Sequence, residues 1–582
     1  MKNEYVLGLN FLHSDTSACI FKNGHLISAA EEERFLRIKH TSNFPFNSIK
    51  FCLDEAKIKI SDVNIITINT NPFSSFGRKI FYTIQNPKSL EIALKSLLNL
   101  KKKVSIKNEI KKIDVDNIFT GKLKYVDHHE SHIASSIYFS NYKKSVNLSV
   151  DGFGDFVSCA WGKFEDNKMK IDGRVFFPHS LGIFYQALTQ YLGFKNYGDE
   201  YKVMGLASYG EPKFERELSS LVYSEGIGFK LNTNYFIHHN SEIIKKMLNG
   251  QIFYKNLYSQ KLIDLLGPER KNNEKISQRH MDIASSTQKV YENIFFNLLN
   301  KLYDLYKIKK LTLSGGCAMN SVANGKILKM TLFEDIYISP NPGDAGGSVG
   351  SAASYIKSKK LHNFDKITYA YLGKNYANEE INLEIEKKNL RKFHKVLNLQ
   401  DNELIDKTVD YLLNSKVIGW FQGKMEWGPR ALGNRSIIAD ARNPKIKDII
   451  NSKIKRRESF RPFAPAILYD LAKEWFKIDK NKEIPFMSEV YPILKDKQKI
   501  LPGITHVDGT GRLQTIKKED NNKFYNLIKN FYEKTNIPII LNTSFNENEP
   551  IVQKPSEAID CFLRTDMDVL VMENWMIIRE KK

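Results

Sequence analysis

Cysteine is scarce and scattered. Cys19, Cys52, Cys159, Cys317 and Cys561 are odd in number and widely spaced, and no CxxC pair occurs. That disfavours a disulfide framework and a cysteine-based zinc site, so any metal site must use histidine and carboxylates. Long apolar runs are missing as well. None approaches the roughly 18–20 residues that a membrane span needs. The opening stretch MKNEYVLGLNFLHSD carries Glu4 and His13, and its apolar part is too short and broken for a signal peptide. A cytoplasmic protein with no membrane partner is expected. There is no Walker A or GxGxxG pattern, which argues against a P-loop or Rossmann site. No low-complexity tract and no short repeat is visible.

Negative charge is in deficit: 66 acidic residues stand against 87 basic ones, a formal charge of +21. Such a balance suits anionic partners, whether nucleic acid, membrane surface or phosphorylated metabolites. Lysine is abundant together with asparagine and isoleucine, however, which reads as a bias spread over the surface. The densest run, Lys101-Lys102-Lys103 through Lys111-Lys112, accompanies Leu97, Leu98, Leu100, Val104 and Ile106. It reads as the solvated face of an amphipathic helix.

The rest is ordinary globular material. The 582 residues are 42% hydrophobic and 26% charged, enough for two large domains or several smaller ones. Apolar strands ending in Gly/Asp turns recur, with helices between them: YVLGLNFL then HSDTS, SVNLSVDGFGD, KKLTLSGGCAMN and DIYISPNPGDAGG. This is the pattern of an α/β nucleotide-binding core in two halves, roughly 1–150 and 145–355. The segment at about 211–310 shows helical periodicity and few strand signals, and is expected to be an α-helical insert. A polar boundary near 357–366 separates a first domain, 1–356, from a second, 366–582.

Three constellations carry chemistry. In DHHESH, His128 and His132 stand at i and i+4, so a helix projects both from one face. Two imidazoles so placed can hold a divalent metal, with Asp151 of DGFGD and Asp344 of PGDAGG as candidate carboxylates at strand ends. His129 is expected to face away. Second, the glycine turns Gly152–Gly154, Gly315-Gly316 and Gly343–Gly347 offer backbone amides for phosphates. Third, Lys424, Arg430, Arg435, Lys455-Arg456-Arg457, Arg461 and Arg512 lie among Gly, Pro and aromatic residues. Arginine in rigid loops suits bidentate capture of phosphate or carboxyl-phosphate oxygens. Asn542-Thr543-Ser544 adds uncharged hydrogen-bonding groups.

Ten stretches in one order through nearly the whole chain carry a resemblance: GLNFLHSDTSACIFKNGHLISAAEEERFLRIKH, VDHHESHIASS, SVDGFGD, KVMGLASYG, LSGGCAMNSVANGKI, PNPGDAGGSVGSA, GKMEWGPRALGNRSIIAD, RRESFRPFAPAIL, DGTGRLQT and LNTSFNENEPIV. The chain resembles the O-carbamoyltransferase family, which includes the nodulation-factor, tobramycin and cephamycin carbamoyltransferases. The resemblance implies an N-terminal actin-like ATPase domain of the Kae type and a C-terminal α/β domain of the YrdC type. It implies ATP and carbamoyl phosphate as substrates, a carbamoyl-adenylate made by the C-terminal domain, and transfer to a small-molecule hydroxyl by the N-terminal domain. It also implies a divalent metal, iron(II), held by His128, His132, Asp151 and Asp344. The ATP and adenylate contacts would be Gly152, Gly154, Gly315, Gly316 and Asn320 in the first domain. In the second they would be Arg430, Lys455, Arg461, Arg512, Asn542 and Ser544. His13 would be the transfer-site base. Tyr201 stands where the family usually has a small residue, beside the acceptor cleft.

Alternatives are a threonylcarbamoyl-type enzyme acting on tRNA and a non-catalytic nucleotide-binding scaffold. The GPRALGNRS and FRPFAP series, and the lack of an aromatic-basic RNA platform, disfavour the first. Retention of every candidate ligand type disfavours the second. A hydrogenase-maturation carbamoyltransferase would need CxxC zinc motifs. The identity of the acceptor and the oligomeric state stay open.

Overall fold

The computed structural model describes residues 3–86, 106–114, 116–240, 244–248, 250–359, 364–458, 460–478 and 482–580. The run Lys101–Lys103 and the leucines before it lie outside the described residues. The chain divides into two compact units, Met1–Asn320 with Lys326–Ile367, and Ser321–Gly325 with Thr368–Lys582.

In the first unit, β1 (Tyr5–Asn10), β2 (Ser17–Lys22) and β3 (His25–Glu31) form an antiparallel meander. Asn23 and Gly24 take positive φ in the tight turn between β2 and β3, as that dipeptide favours. Helix α1 (Phe46–Ala56), β4 (Ile65–Ile68), α2 (Phe76–Gln85) and β5 (Lys122–Tyr125) follow, and β4 and β5 add on in parallel. The sheet order is β3-β2-β1-β4-β5. Then come α3 (His128–Ile137), β6 (Ser145–Gly154), β7 (Val157–Glu165), β8 (Lys168–Phe176) and α4 (Leu181–Tyr191).

The expected α-helical insert is mixed instead. Two hairpins, β9 (Val222–Glu225) with β10 (Gly228–Leu231) and β11 (Ile244–Leu248) with β12 (Gln251–Tyr254), precede the long helix α5 (Gln278–Tyr306). Each hairpin turns on a glycine at positive φ, Gly226 and Gly250. After α5 come β13 (Lys310–Ser314), β14 (Asp335–Ile338) and α6 (Gly346–Ser358). Strands β6 to β8 are antiparallel while β13 and β14 join β6 in parallel, giving the order β8-β7-β6-β13-β14. Both sheets therefore place a central first strand between an antiparallel meander and two parallel additions. This repeated α/β unit is the duplicated, actin-like arrangement that the resemblance implies.

The second unit is also α/β. Helices α7 (Asn378–Lys387), α8 (Asp401–Leu413), α9 (Asn522–Thr535) and α10 (Pro555–Arg564) accompany one nine-stranded sheet. Its strands are β15 (His394–Asn398), β16 (Ile418–Phe421), β17 (Arg435–Ala439), β18 (Ala464–Leu468), β19 (Glu489–Pro492), β20 (Thr510–Ile516), β21 (Ile539–Ser544), β22 (Val569–Met572) and β23 (Trp575–Arg579). A large apolar cluster, including Trp420, Phe463, Phe524 and Ile540, forms its core.

Two helices of the first unit, α3 and α6, set up the candidate site. Gly350 of α6 lies so close to α3 that an added Cβ would fall 1.8 Å from the Ser131 carbonyl oxygen. Gly346 and Gly347 are buried, and side chains there would meet Asn341 and Asn69. The Gly343–Gly347 stretch, expected to be a phosphate-cradling turn, thus serves close backbone packing in its second half.

Candidate active site and metal centre

Helix α3 begins where it does because Asp127 caps it, accepting from the Glu130 amide at 3.1 Å. Its first turn then aims His128 and His132 inward, both with no exposed surface. Strand β6 delivers Asp151, and the loop after β14 delivers Asp344. The four donor atoms converge. His128 Nε2 lies 3.0 Å from His132 Nε2, 3.2 Å from Asp151 Oδ2 and 3.5 Å from Asp344 Oδ1. His132 Nε2 lies 3.6 Å from Asp151 and 3.5 Å from Asp344. Four tetrahedral ligands at about 2.1 Å from a cation would stand about 3.4 Å apart. The donor set therefore matches one small divalent ion.

Electrostatics agree. Burial alone would raise the Asp151 pKa, but hydrogen bonding with His128 and His132 outweighs it and holds this carboxyl well below the usual range. Burial and the Asp151 charge push Asp344 up. Two carboxylates facing each other in a buried site resist joint ionisation, and a cation between them would relieve that. Asp344 Oδ1 is buried without a hydrogen-bond partner among the described residues.

Glycines hold this centre tightly. A Cβ on Gly154 would lie 2.0 Å from the His128 ring. Gly316 donates its amide to Asp151 at 2.8 Å, and Gly315, at φ +86°, passes under Val150, whose carbonyl oxygen a Cβ would approach to 2.2 Å. Only open space faces Gly152. Asn320 exchanges amide hydrogen bonds with Gln288 at 3.0 and 3.1 Å.

His13 comes into the same site. Its ring centroid is 4.6 Å from that of His128. The turn that carries it is strained: Leu12 and Asp15 sit at φ +75° and +58°. A bulky leucine there costs about 1–2 kcal/mol, which the surrounding structure offsets. His129 bonds Ser149 and the Val157 carbonyl, both at 2.9 Å, away from the converging donors. Asp155, to which the motifs assign no role, ties three elements together. It accepts from Thr70 Oγ1 and the Asn71 amide, each at 2.7 Å, and from the His128 amide at 3.0 Å.

The second unit gathers the cations. Arg512 has a buried Nε with no hydrogen-bond partner among the described residues. Burial, with the charges of Arg430, Arg457 and Arg461 nearby, pushes its pKa well below the usual guanidinium range. An arginine buried within reach of three other guanidinium charges is the kind of cationic cluster that an anion would relieve. Lys455 is 1% exposed and donates to Asn546 at 2.6 Å and Ser544 Oγ at 3.2 Å. Asn542 donates to Gln514 at 2.8 Å, while its Oδ1 is buried without a partner among the described residues.

Arg435 departs from the expected anion-binding series. It is fully buried, donates to the carbonyls of Gln422, Asn434, Lys374 and Gly423, and stacks 3.6 Å over Phe421. Glu426, which the motifs do not single out, shapes the loop after Arg430. One of its oxygens accepts from the amides of Leu432, Asn434 and Arg435 at 2.7, 2.8 and 3.1 Å. An acid inside a Gly/Pro-rich basic motif is the signal that could have found it.

Two family models match the chain: the carbamoyltransferase N-terminus over residues 5–353 and the carbamoyltransferase C-terminus over 409–579. The nodulation protein NolNO of Sinorhizobium fredii is 34% identical over 99% of this chain and 80% of its own length. NolO of Bradyrhizobium diazoefficiens is 37% identical over 78% of each chain. An uncharacterized Synechocystis protein is 35% identical over 99% of this chain and 97% of its own.

Proposed function

The chain belongs to the carbamoyltransferase family, and from that premise we propose that it is an ATP-dependent O-carbamoyltransferase acting on a small-molecule hydroxyl. The observation that carries this reading is the buried Arg512, whose Nε lacks a hydrogen-bond partner among the described residues and which feels the charges of Arg430, Arg457 and Arg461; such a cluster suits a phosphate-rich substrate pair. Carbamoyl phosphate is a weak electrophile towards an alcohol. A mixed anhydride with AMP has a better leaving group and a large handle whose binding can be used for positioning. Across both steps, ATP, carbamoyl phosphate, water and the acceptor give the carbamate ester, AMP, pyrophosphate and phosphate.

In the second unit, Arg430, Arg461 and Arg512 neutralise phosphate oxygens during adenylate formation. Lys455, Asn542 and Ser544 would add hydrogen bonds to the adenylate. In the first unit, the turns at Gly152, Gly154, Gly315 and Gly316, with Asn320, receive the nucleotide. His128, His132, Asp151 and Asp344 would hold a divalent ion, iron(II) in this reading, which supplies Lewis-acid charge beside the phosphate when bound. His13 accepts the proton of the acceptor hydroxyl.

The test follows products and separates the steps. AMP is expected from ATP only when carbamoyl phosphate is present, and the acceptor should gain one carbamoyl group by intact mass. Arg461→Ala should lower adenylate formation by about tenfold or more, as loss of a charge-assisted contact costs roughly 1.5–3 kcal/mol. His13→Ala should still form adenylate but fail to carbamoylate. ADP with a phosphorylated acceptor would show a kinase instead.

A further inference from the structure

Strand β4 ends at Ile68, and the next residue, Asn69, is fully buried with neither Oδ1 nor Nδ2 hydrogen-bonded among the described residues. A buried primary amide without partners costs stability, so it asks for a reason. Its side chain lies against the first turn of α6. Thr67, two residues earlier and therefore on the same face of the strand, has its hydroxyl 3.0 Å from Ser351 Oγ of that helix. A Cβ on Gly347 would fall 2.2 Å from Asn69 Nδ2, so glycine there leaves the amide its place.

Three segments that carry site residues meet around it. Asp344 precedes Gly347 in the same turn. Strand β1 lies alongside, where the Leu9 carbonyl accepts from the Asn69 backbone amide at 3.2 Å. Asn10, next to Leu9, donates its side chain to the Ser14 and Asp15 carbonyls at 3.1 and 2.7 Å and so holds the turn of His13. Thr70 bonds Asp155, which also accepts from the His128 amide. Asn69 thus stands among the supports of His13, His128 and Asp344, at the reacting end of the site. Its chemistry narrows what it meets there. An anion would suit Nδ2 but oppose Oδ1. A group that satisfies both offers an acceptor and a donor side by side, as another primary amide does. The carbamoyl group, with its carbonyl and NH2, is such a group.

We propose that Asn69 recognises the transferred group: Nδ2 donates to the carbamoyl carbonyl oxygen, and Oδ1 accepts from the carbamoyl NH2. The inference rests on the carbamoyl-transfer reading and adds a residue to which the motifs assign no role. It gives the first unit a means of choosing carbamoyl over an acyl group of the same size. Acetyl has a methyl where carbamoyl has NH2, and would leave Oδ1 buried without a partner. The stability that the unpaired amide costs the free protein is the counterpart of that selectivity.

The test compares two stable adenylate analogues by calorimetry, carbamoylsulfamoyl adenosine and acetylsulfamoyl adenosine, which differ only in NH2 against CH3. The full chain carries Arg461→Ala/Arg512→Ala throughout, to remove binding by the second unit. This parent should bind the carbamoyl analogue about tenfold or more tightly than the acetyl one. With Asn69→Leu added, both should bind alike, at the acetyl affinity. The melting temperature should equal or exceed the parent's, since two unpaired buried polar atoms are gone. Should that variant unfold, Asn69→Ala supplies the same comparison. Equal binding of the two analogues by the parent overturns the inference and leaves carbamoyl transfer standing. So does a preference that survives loss of the amide. Both analogues weakened by the same factor would assign Asn69 to the adenine or to the fold, against the proposal. Binding of neither overturns it too, and AMP formation from ATP and carbamoyl phosphate by the unsubstituted chain then decides whether the wider reading falls with it.

Discussion

His128 and His132 reach one point because they are four residues apart on a helix whose start is fixed by the Asp127 cap. Their approach to Asp151 and Asp344 needs glycine at 154, where a Cβ would strike the His128 ring. The expected outcome of His128→Ala/His132→Ala is loss of bound metal, measured by elemental analysis of purified protein, with ATP binding in the second unit retained. Full metal occupancy in that variant would contradict the ligand assignment. Gly154→Ala should weaken metal binding without removing a donor, because it displaces one. The donors were legible in the sequence, since an i, i+4 histidine pair and acids at strand ends follow directly from helix and strand geometry. Arg435 was not. Capture of backbone carbonyls and capture of an anion both call for arginine among glycines and prolines, and only the path of the chain decides between them.

Helices α3 and α6 form one mechanical element. Gly350 allows the contact, and Asp344 lies just before α6 while His132 lies within α3. Gly350→Ala would push a methyl against the Ser131 carbonyl. A destabilisation of about 1–3 kcal/mol is expected from overpacking, with weaker metal binding because the donors move apart. Thermal melts with and without metal check both. An unchanged metal affinity would show that the helices yield without moving the donors. The two halves of the first unit were legible as strand, turn and helix. The hairpins at 222–231 and 244–254 were not, although Asn249-Gly250 repeats the dipeptide read as a turn at Asn23-Gly24. Short strands carry too little periodicity to stand out against the long helix α5 that follows.

At the scale of the whole molecule, both units hold histidines that folding keeps neutral. Burial, together with the nearby imidazoles of His128 and His132, lowers the pKa of His129 to about 3. Burial lowers His238 to about 4, and burial with the Lys447 and Arg512 charges lowers His506 to about 4. A group depressed in the folded state contributes stability that is present above its unfolded pKa, about 6.5, and is lost as pH falls through the folded value. Each tenfold loss of proton affinity on folding is worth roughly 1.4 kcal/mol, so stability should fall by several kcal/mol between about pH 6.5 and 4. His40 runs the other way. Burial opposes its protonation, but Asp15 at 2.7 Å outweighs that and raises it to about 9. Its contribution is complete below about 6.5 and fades as pH rises through 9, so stability should peak near neutrality. The excess of positive charge also destabilises the chain in acid, since it grows as carboxylates protonate. Salt separates the two causes: it screens repulsion among surface charges but hardly touches a buried imidazole. Urea titrations at about pH 7, 6 and 5, each at low and high salt, should show an acid loss that persists in salt. His506→Gln should make that loss shallower. A loss abolished by salt, or a slope unchanged in His506→Gln, would assign acid sensitivity to net charge instead.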